Sequence, residues 1–264
     1  PVTRRAAWLC EAVCAGRCES CACGKNSCAA GEHVVIAPCS TAGLEAIAWI
    51  RDGQVSGATI TLDIRLPEGV RAAGPDDWRR VGGIAAEAFF EDPVNLWIFG
   101  RTEPMPPVFS ALARSVYIPR GTCHLIGDAG STMWCHSSVN REPPLLAMLG
   151  PVAAVISTGT NGAVKRALGA SDTMAREHPK APHMYLFAIG TRKASRGKGL
   201  GKQLMAPMLD AADRAGVPCY LENSNPANTG FYRSRGFERM KLFEPGPDAP
   251  PMEAMWREPR RAEN

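Results

Sequence analysis

No window of the 264-residue chain approaches the roughly 18 apolar residues that a membrane span requires, and no charged-then-apolar leader precedes the rest. Internal repeats are lacking, and so is a strong charge of either sign: 30 Lys and Arg against 26 Asp and Glu leave a net charge of +4. So mild a balance gives little support for nucleic-acid binding, because the basic residues gather in one short stretch rather than along a stripe. His124, His136 and His178 have no partners at metal-ligand spacing and read as structural or surface residues. These absences set the expectation of a cytoplasmic protein without a nucleic-acid, membrane or metal partner.

What is present is concentrated at 183–216. Met184 to Ile189 is an apolar run without alternation, which suits a strand covered on both faces. Gly197, Gly199 and Gly201 follow, each lacking a Cβ where backbone must approach a ligand, at the start of a helical pattern whose amides would point outward. Arg196, Lys198 and Lys202 add positive charge there, so the expected ligand carries phosphates. Leu200, Leu204, Met208, Leu209 and Ala212 recur at helical spacing as far as Gly216, with Pro207 expected to kink the helix or to sit near its first turns.

Two glycine-loop chemistries do not fit. The Walker loop needs Gly-Lys followed by Ser or Thr to hold magnesium, and here Gly201-Lys202 is followed by Gln203. The dinucleotide fingerprint belongs after the first strand of a βαβ unit, whereas this loop lies deep in the second half of the chain. Arg196-x-x-Gly199-x-Gly201 resembles instead the pyrophosphate loop of the GNAT superfamily of N-acetyltransferases. A second signature follows about thirty residues later, the distance a helix and a strand would fill. It reads Gly230-Phe-Tyr232-Arg-Ser-Arg-Gly236-Phe237, after a strand-like Val217 to Glu222 and a polar turn. The resemblance covers roughly residues 66–258 and is strongest over 183–240. Within the superfamily, His183-x-Tyr185-Leu186 and Asn228-x-x-Phe231-Tyr232 look most like the puromycin N-acetyltransferase type and its uncharacterised bacterial and fungal relatives.

The resemblance implies an α/β (α+β) fold: a central, mostly antiparallel mixed sheet, splayed between its fourth and fifth strands and flanked by helices. It implies acetyl-CoA as co-substrate, with Ile189, Gly190 and Thr191 along the pantetheine arm. Arg196, Gly197, Lys198, Gly199, Leu200, Gly201 and Lys202 would surround the pyrophosphate, and Asn228 would bond the arm. Tyr232 matches the tyrosine that protonates the departing thiolate, a role suited to a phenol of pKa near ~10; the alternative is core packing beside Phe231 and Phe237. Thr191 and Lys193 depart from the usual valine and proline, which leaves the entry of the loop less well defined than its phosphate contacts.

Attack by a primary amine requires a base. Glu222 is the first candidate, an acid in an apolar run that is costly to bury without work or a partner, or else a carboxylate capping the turn at Asn223. His183 is the second, at the mouth of the other splayed strand, or else a histidine that begins a strand after Pro182. The acceptor would be a small-molecule amine, and the chain a monomer or homodimer. The other hypothesis is a catalytically idle CoA-binding module with a sensing or assembly role.

Upstream of the signatures, Gly74-Pro-Asp-Asp77 caps a helix through Trp78, Val81, Ile84, Ala85, Ala88 and Phe89. Glu91 and Asp92 are expected at a solvated helix end, with amine binding as the other reading. Cys123 to Ile126 and Thr132 to Cys135 predict a hairpin, 143–169 a proline-punctuated helical region, and Glu238 to Phe243 and Met252 to Arg257 the last strands.

Seven of the ten cysteines lie between Cys10 and Cys39, and the composition changes near Ile64. The tract lacks the two Cys pairs a dozen or more residues apart of ordered zinc modules. A disulfide scaffold would conflict with a CoA-using enzyme. With no methionine before Met105, residues 1–63 are expected to be an upstream extension or translation artefact without a stable fold, metal binding being the other reading. Residues 64–258 form the expected acetyltransferase domain, and 259–264 a frayed tail.

Overall fold

In a computed structural model the described residues are 62–260, together with three earlier strands, β1 (His33–Cys39), β2 (Leu44–Arg51) and β3 (Gln54–Thr61). Contacts divide the chain into two units, 1–63 and 64–264. Within the first, β1, β2 and β3 pair as an antiparallel meander, a ladder in a span read from sequence as lacking a stable fold. Cys10 to Cys28, and with them the metal-binding reading of the tract, lie outside the described residues.

The second unit begins with a two-residue strand, β4 (Arg71–Ala72), and helix α1 (Trp78–Ala88). Asp77, just before α1, accepts from the Gly74 amide at 2.8 Å, as the capping signal requires. Helices α2 (Pro93–Phe99) and α3 (Met105–Leu112) follow, the latter running on through a π turn at Ala113–Tyr117. The hairpin is β5 (Thr122–Ile126) and β6 (Gly130–His136). The proline-punctuated region resolves into α4 (Leu145–Thr158) and α5 (Ala163–Glu177). Then come β7 (Met184–Thr191), α6 (Leu200–Ala215), β8 (Cys219–Asn223), α7 (Thr229–Ser234), β9 (Glu238–Phe243) and β10 (Met252–Arg257). Pro207 lies well inside α6, which continues past it to Gly216. Among the described residues no helix is long and apolar enough to cross a membrane.

The seven strands form one mixed sheet in the order β4-β5-β6-β7-β8-β10-β9. All pairs are antiparallel except β7 with β8, the fourth and fifth strands of this sheet in chain order. That pair is short. Met184, Tyr185 and Leu186 face Cys219, Tyr220 and Leu221, and there the ladder ends. β8 stays on β10 as far as Asn223, and β7 stays on β6 as far as Thr191, so the two strands splay as expected.

A register shift in β7 sharpens the departure. Met133 pairs Ala188 and Trp134 pairs Leu186, leaving Phe187 as an extra residue that bends the strand and resets its alternation. Phe187 stacks on Tyr117 at 4.6 Å on the helical side of the sheet. Gly190, three residues on, meets that same side: a Cβ there would come within 2.5 Å of the Ala88 Cβ of α1. Strict alternation would have put Phe187 and Gly190 on opposite faces. The other face is covered by α6, whose Leu204, Met205, Met208 and Leu209 are buried over β5 to β7.

Candidate active site

Divergence of β7 from β8 leaves the β7 backbone beyond Leu186 without a partner on that side, beside the loop at the start of α6. A groove of about 680 Å³ opens there. Ile189, Gly190 and Thr191 line it from β7; Arg196, Gly197, Gly199, Leu200, Gly201 and Lys202 from the loop; Asn228 and Tyr232 from the region of α7. Sequence reasoning thus brought ten of its eleven expected cofactor residues to one surface; the exception is Lys198, an exposed residue outside the lining.

Glycine is needed in the loop for conformation as well as space. Gly197 and Gly199 have φ of +77° and +74°, the left-handed region, and a Cβ at either would find no protein atom within 4 Å. Gly199 is the N-cap of α6, so the amides of Leu200 and Gly201 have no intrahelical acceptor and carry the positive end of the helix dipole. Lys202 already bonds the Gly199 carbonyl at 3.0 Å.

Two acids from the end of α1 and just past it hold the loop's entry. Glu87 accepts from Arg192 Nη1 at 2.6 Å and from the Lys193 backbone amide at 3.0 Å. A proline at 193 has no such amide, so the departure from the family pattern is tied to a carboxylate of this chain. The Lys193 amide, and then the Arg192 guanidinium, hold the Glu87 carboxyl below its ordinary range. Glu91, a groove-lining residue, accepts from Arg196 Nη1 at 2.8 Å and from Lys193 Nζ at 3.0 Å. Neither contact leaves it as a free amine ligand. Asp92 is buried rather than at a solvated helix end: it caps α2 by accepting from the Asn95 amide at 2.9 Å, and Ser224 Oγ donates to its Oδ2 at 2.5 Å.

Tyr232 is nearly buried, with Phe231 and Phe237 edge-on at 5.3 and 6.2 Å. Burial, followed by the charge of Asp92, holds its phenol well above the ordinary tyrosine range and hence protonated. Tyr232 packs in the core, as one of its two sequence readings expects, and also lines the groove.

Glu222 and His183 do not line the groove. Glu222 is the first β8 residue past the last pairing with β7, with a side chain only 3% exposed. His183 is wholly buried and precedes the paired end of β7, whereas sequence reasoning put it at the mouth of the splay. The strands part at the opposite end, which moves His183 away from the opening. The two residues are nonetheless joined through His178, which follows α5: its Nδ1 is 3.3 Å from Glu222 Oε1 and its Nε2 3.0 Å from His183 Nε2. The sequence pattern, in which His178 has no partner at metal-ligand spacing and reads as a structural or surface residue, does not show these contacts. The available signal was its place five residues before His183, at the end of a helix that must return the chain to that strand.

Comparison with known proteins agrees with this geometry. The Acetyltransferase (GNAT) family model matches residues 152–237, which span α5, the groove loop and α7. An uncharacterized N-acetyltransferase of Schizosaccharomyces pombe is 25% identical over 199 residues, 69% of this chain and 80% of that protein. A Corynebacterium glutamicum structure described as histone acetyltransferase HPA2 and related acetyltransferase superposes with a TM-score of 0.54 at 21% identity, over 74% of this chain and 98% of that one. Arylalkylamine N-acetyltransferase 2 of Aedes aegypti superposes with a TM-score of 0.50 at 12% identity, over 75% and 100%. Residues 152–237 thus match the Acetyltransferase (GNAT) family, and the chain shares the fold of these acetyltransferase structures.

Proposed function

We propose that this acetyltransferase uses acetyl-CoA to acetylate the primary amine of a small molecule, by direct attack of the nitrogen on the thioester. The observation that carries the reading is that an unpaired strand edge, a cationic glycine loop and a protonated tyrosine all face one groove.

The residues fit the co-substrate. Gly197 and Gly199 leave open space where side chains would otherwise project, and the Leu200 and Gly201 amides, with Arg196 and Lys202, offer donors for a pyrophosphate. The backbone of Ile189 to Thr191 offers a strand edge for the pantetheine arm, and Asn228 a side-chain amide. Acetyl-CoA supplies the thioester; the chain supplies position and protons. Tyr232 donates to the departing sulfur, which becomes more basic in the same water-poor site that raises the phenol. Glu222, at the divergence of the strands but outside the groove lining, takes up the proton of the attacking amine through an intervening water.

In this reading residues 64–258 are the catalytic domain and 259–264 a tail, and the enzyme is a cytoplasmic monomer or homodimer of the puromycin N-acetyltransferase type. The Aedes aegypti neighbour, named for arylalkylamines, supports an amine acceptor. Calorimetry with acetyl-CoA, followed by thiol release over a panel of small amines, tests the proposal. Binding and amine-dependent release are expected; no binding of acetyl-CoA overturns it, and binding without release by any amine removes the acceptor class.

A further inference from the structure

α4 turns toward solvent a surface that solvent does not favour. Its 14 residues include no Asp, Glu, Lys, Arg or His. Pro151 and Val155 are buried against the fold, while Leu145 and Leu146 are 80% exposed, Ile156 70% and Leu149 59%. α5, the next helix, shows the ordinary pattern, with Lys165, Asp172 and Arg176 outward. Ser157 has the one polar side chain on the exposed face of α4, and its hydroxyl donates to the Ala154 carbonyl at 3.2 Å. Covering this face therefore leaves no side-chain polar group without a partner.

Another exposed apolar pair shows the contrast. Met240 and Leu242 lie on β9, an edge strand of the sheet, but Arg239 and Lys241 alternate with them and the ladder to β10 shifts register beside them. Charges and bulges of this kind keep an edge strand from pairing with another chain. α4 has no such charge to keep a partner away.

The exposed residues of α4 form two rows. Leu145, Leu149, Val152 and Ile156, at i, i+4, i+7 and i+11, make a bulky ridge; Gly150, Ala153 and Ser157 make a shallow row beside it. A two-fold axis running along the helices sets the ridge of each copy against the shallow row of the other, so one surface supplies both halves of the fit. The apolar side chains of this face leave on the order of 600 Å² accessible, the upper end for the largest patch of a monomer. Two such faces would bury about 1,200 Å², where specific interfaces begin. Lipid is a poorer match. Helices that lie in a membrane interface carry Lys and Arg beside their apolar side, and α4 has neither.

We propose that α4 is the self-association surface of this protein, through which two copies pair side by side about a two-fold axis. The partner is a second copy of this chain, and the pairing stands whether or not acetyl-CoA is the co-substrate. No residue of α4 lines the groove, so each copy keeps its own site.

Sedimentation velocity of the full chain from about 1 to about 100 μM is expected to show a reversible monomer–dimer equilibrium in the micromolar range. Leu149→Glu combined with Ile156→Glu should raise the dissociation constant more than about tenfold, while Leu149→Met stays within about threefold. Both positions are exposed, so Tm should move by no more than about two degrees. Ala153→Leu discriminates further: it enlarges the apolar surface but fills the shallow row, and so should weaken the dimer. A chain that stays monomeric at about 100 μM, a dimer unweakened by the paired Glu substitutions, or one tightened by Ala153→Leu overturns the proposal. So does a monomeric chain that sediments with phosphatidylcholine vesicles, which would assign the face to lipid.

Discussion

Glu91 Oε2 accepts from Arg196 Nη1 at 2.8 Å, between residues 105 apart in the chain, and so pairs with a cation proposed for the pyrophosphate. The same carboxylate takes Lys193 Nζ at 3.0 Å, and the Arg196 contact, then that of Lys193, holds it below the ordinary carboxylate range. An arriving pyrophosphate must compete with it. Glu91→Gln is therefore expected to bind acetyl-CoA more tightly, by about two- to fivefold at low ionic strength, with the gain shrinking as salt is added. Calorimetry at two salt concentrations checks both parts. Weaker binding in Glu91→Gln would mean that the carboxylate holds the loop in shape rather than competing for it.

Gly199 supplies the sharpest steric test of the loop. At φ +74° a Cβ costs roughly 1–2 kcal/mol of backbone strain, and here it would project into the groove with no protein atom to meet it. Gly199→Ala is expected to weaken acetyl-CoA more than about tenfold while lowering Tm by only a few degrees. Unchanged affinity in a folded variant would remove this loop as the anion site.

Local signals in the sequence reached far where function is built from neighbours in the chain. The glycine loop needs only a few consecutive residues, and it opens α6 where the spacing placed it. The sheet's last strands end at Phe243 and Arg257, as expected. Contacts across the fold were hidden. Asp92 looked like a solvated helix end because its partner Ser224 is 132 residues away, and Glu222 gave no sign of His178, 44 residues earlier. The place of His183 was misjudged for a related reason: the register of β7 on β8 decides which end of the splay opens, and a parallel pair of three residues leaves no pattern to read.

Tyr232 is expected to separate chemistry from binding. Its hydroxyl stays protonated beyond the ordinary tyrosine range near ~10, so it remains an acid throughout the working range and contributes no basic limb to kcat. Tyr232→Phe keeps the packing against Phe231 and Phe237 but has no proton to give. Turnover should fall about a hundredfold or more, with acetyl-CoA affinity within about twofold. Stopped-flow thiol release and calorimetry on one preparation decide it; retained turnover would hand the acid's role to another group.

Residues 1–63 form a separate unit, and among the described residues the groove is lined from residue 88 onward. Removing them should leave acetyl-CoA affinity and kcat within about twofold, since none of the groups assigned to the site is lost. A chain starting at Ile64 that melts cooperatively but no longer binds acetyl-CoA would show that the earlier unit contributes to the site.

Acid should weaken the fold through its buried histidines. His124 is buried on β5, its Nδ1 has no hydrogen-bond partner, and burial lowers it from 6.5 to about 4. Because the folded form resists the proton that the unfolded chain accepts, stability is unaffected above about pH 6.5 and declines as pH falls from there toward about 4. Over the span from pH 6.5 to 5 that one residue accounts for about 2 kcal/mol. His183, lowered to about 4 by burial before any other cause, adds a decline in the same window and the same direction. His124→Leu removes the first contribution and keeps an apolar side chain at a buried position, while the backbone amide of residue 124 retains its bond to Thr132 Oγ1 at 3.2 Å. Urea unfolding at pH 7 and pH 5 should therefore show a smaller acid loss in His124→Leu than in the unaltered protein, by about 2 kcal/mol, with His183 supplying much of the slope that remains. Equal acid losses in the two proteins would mean that His124 gains a proton in the folded state as readily as in the unfolded one, and that its burial does not set the acid limit of the fold.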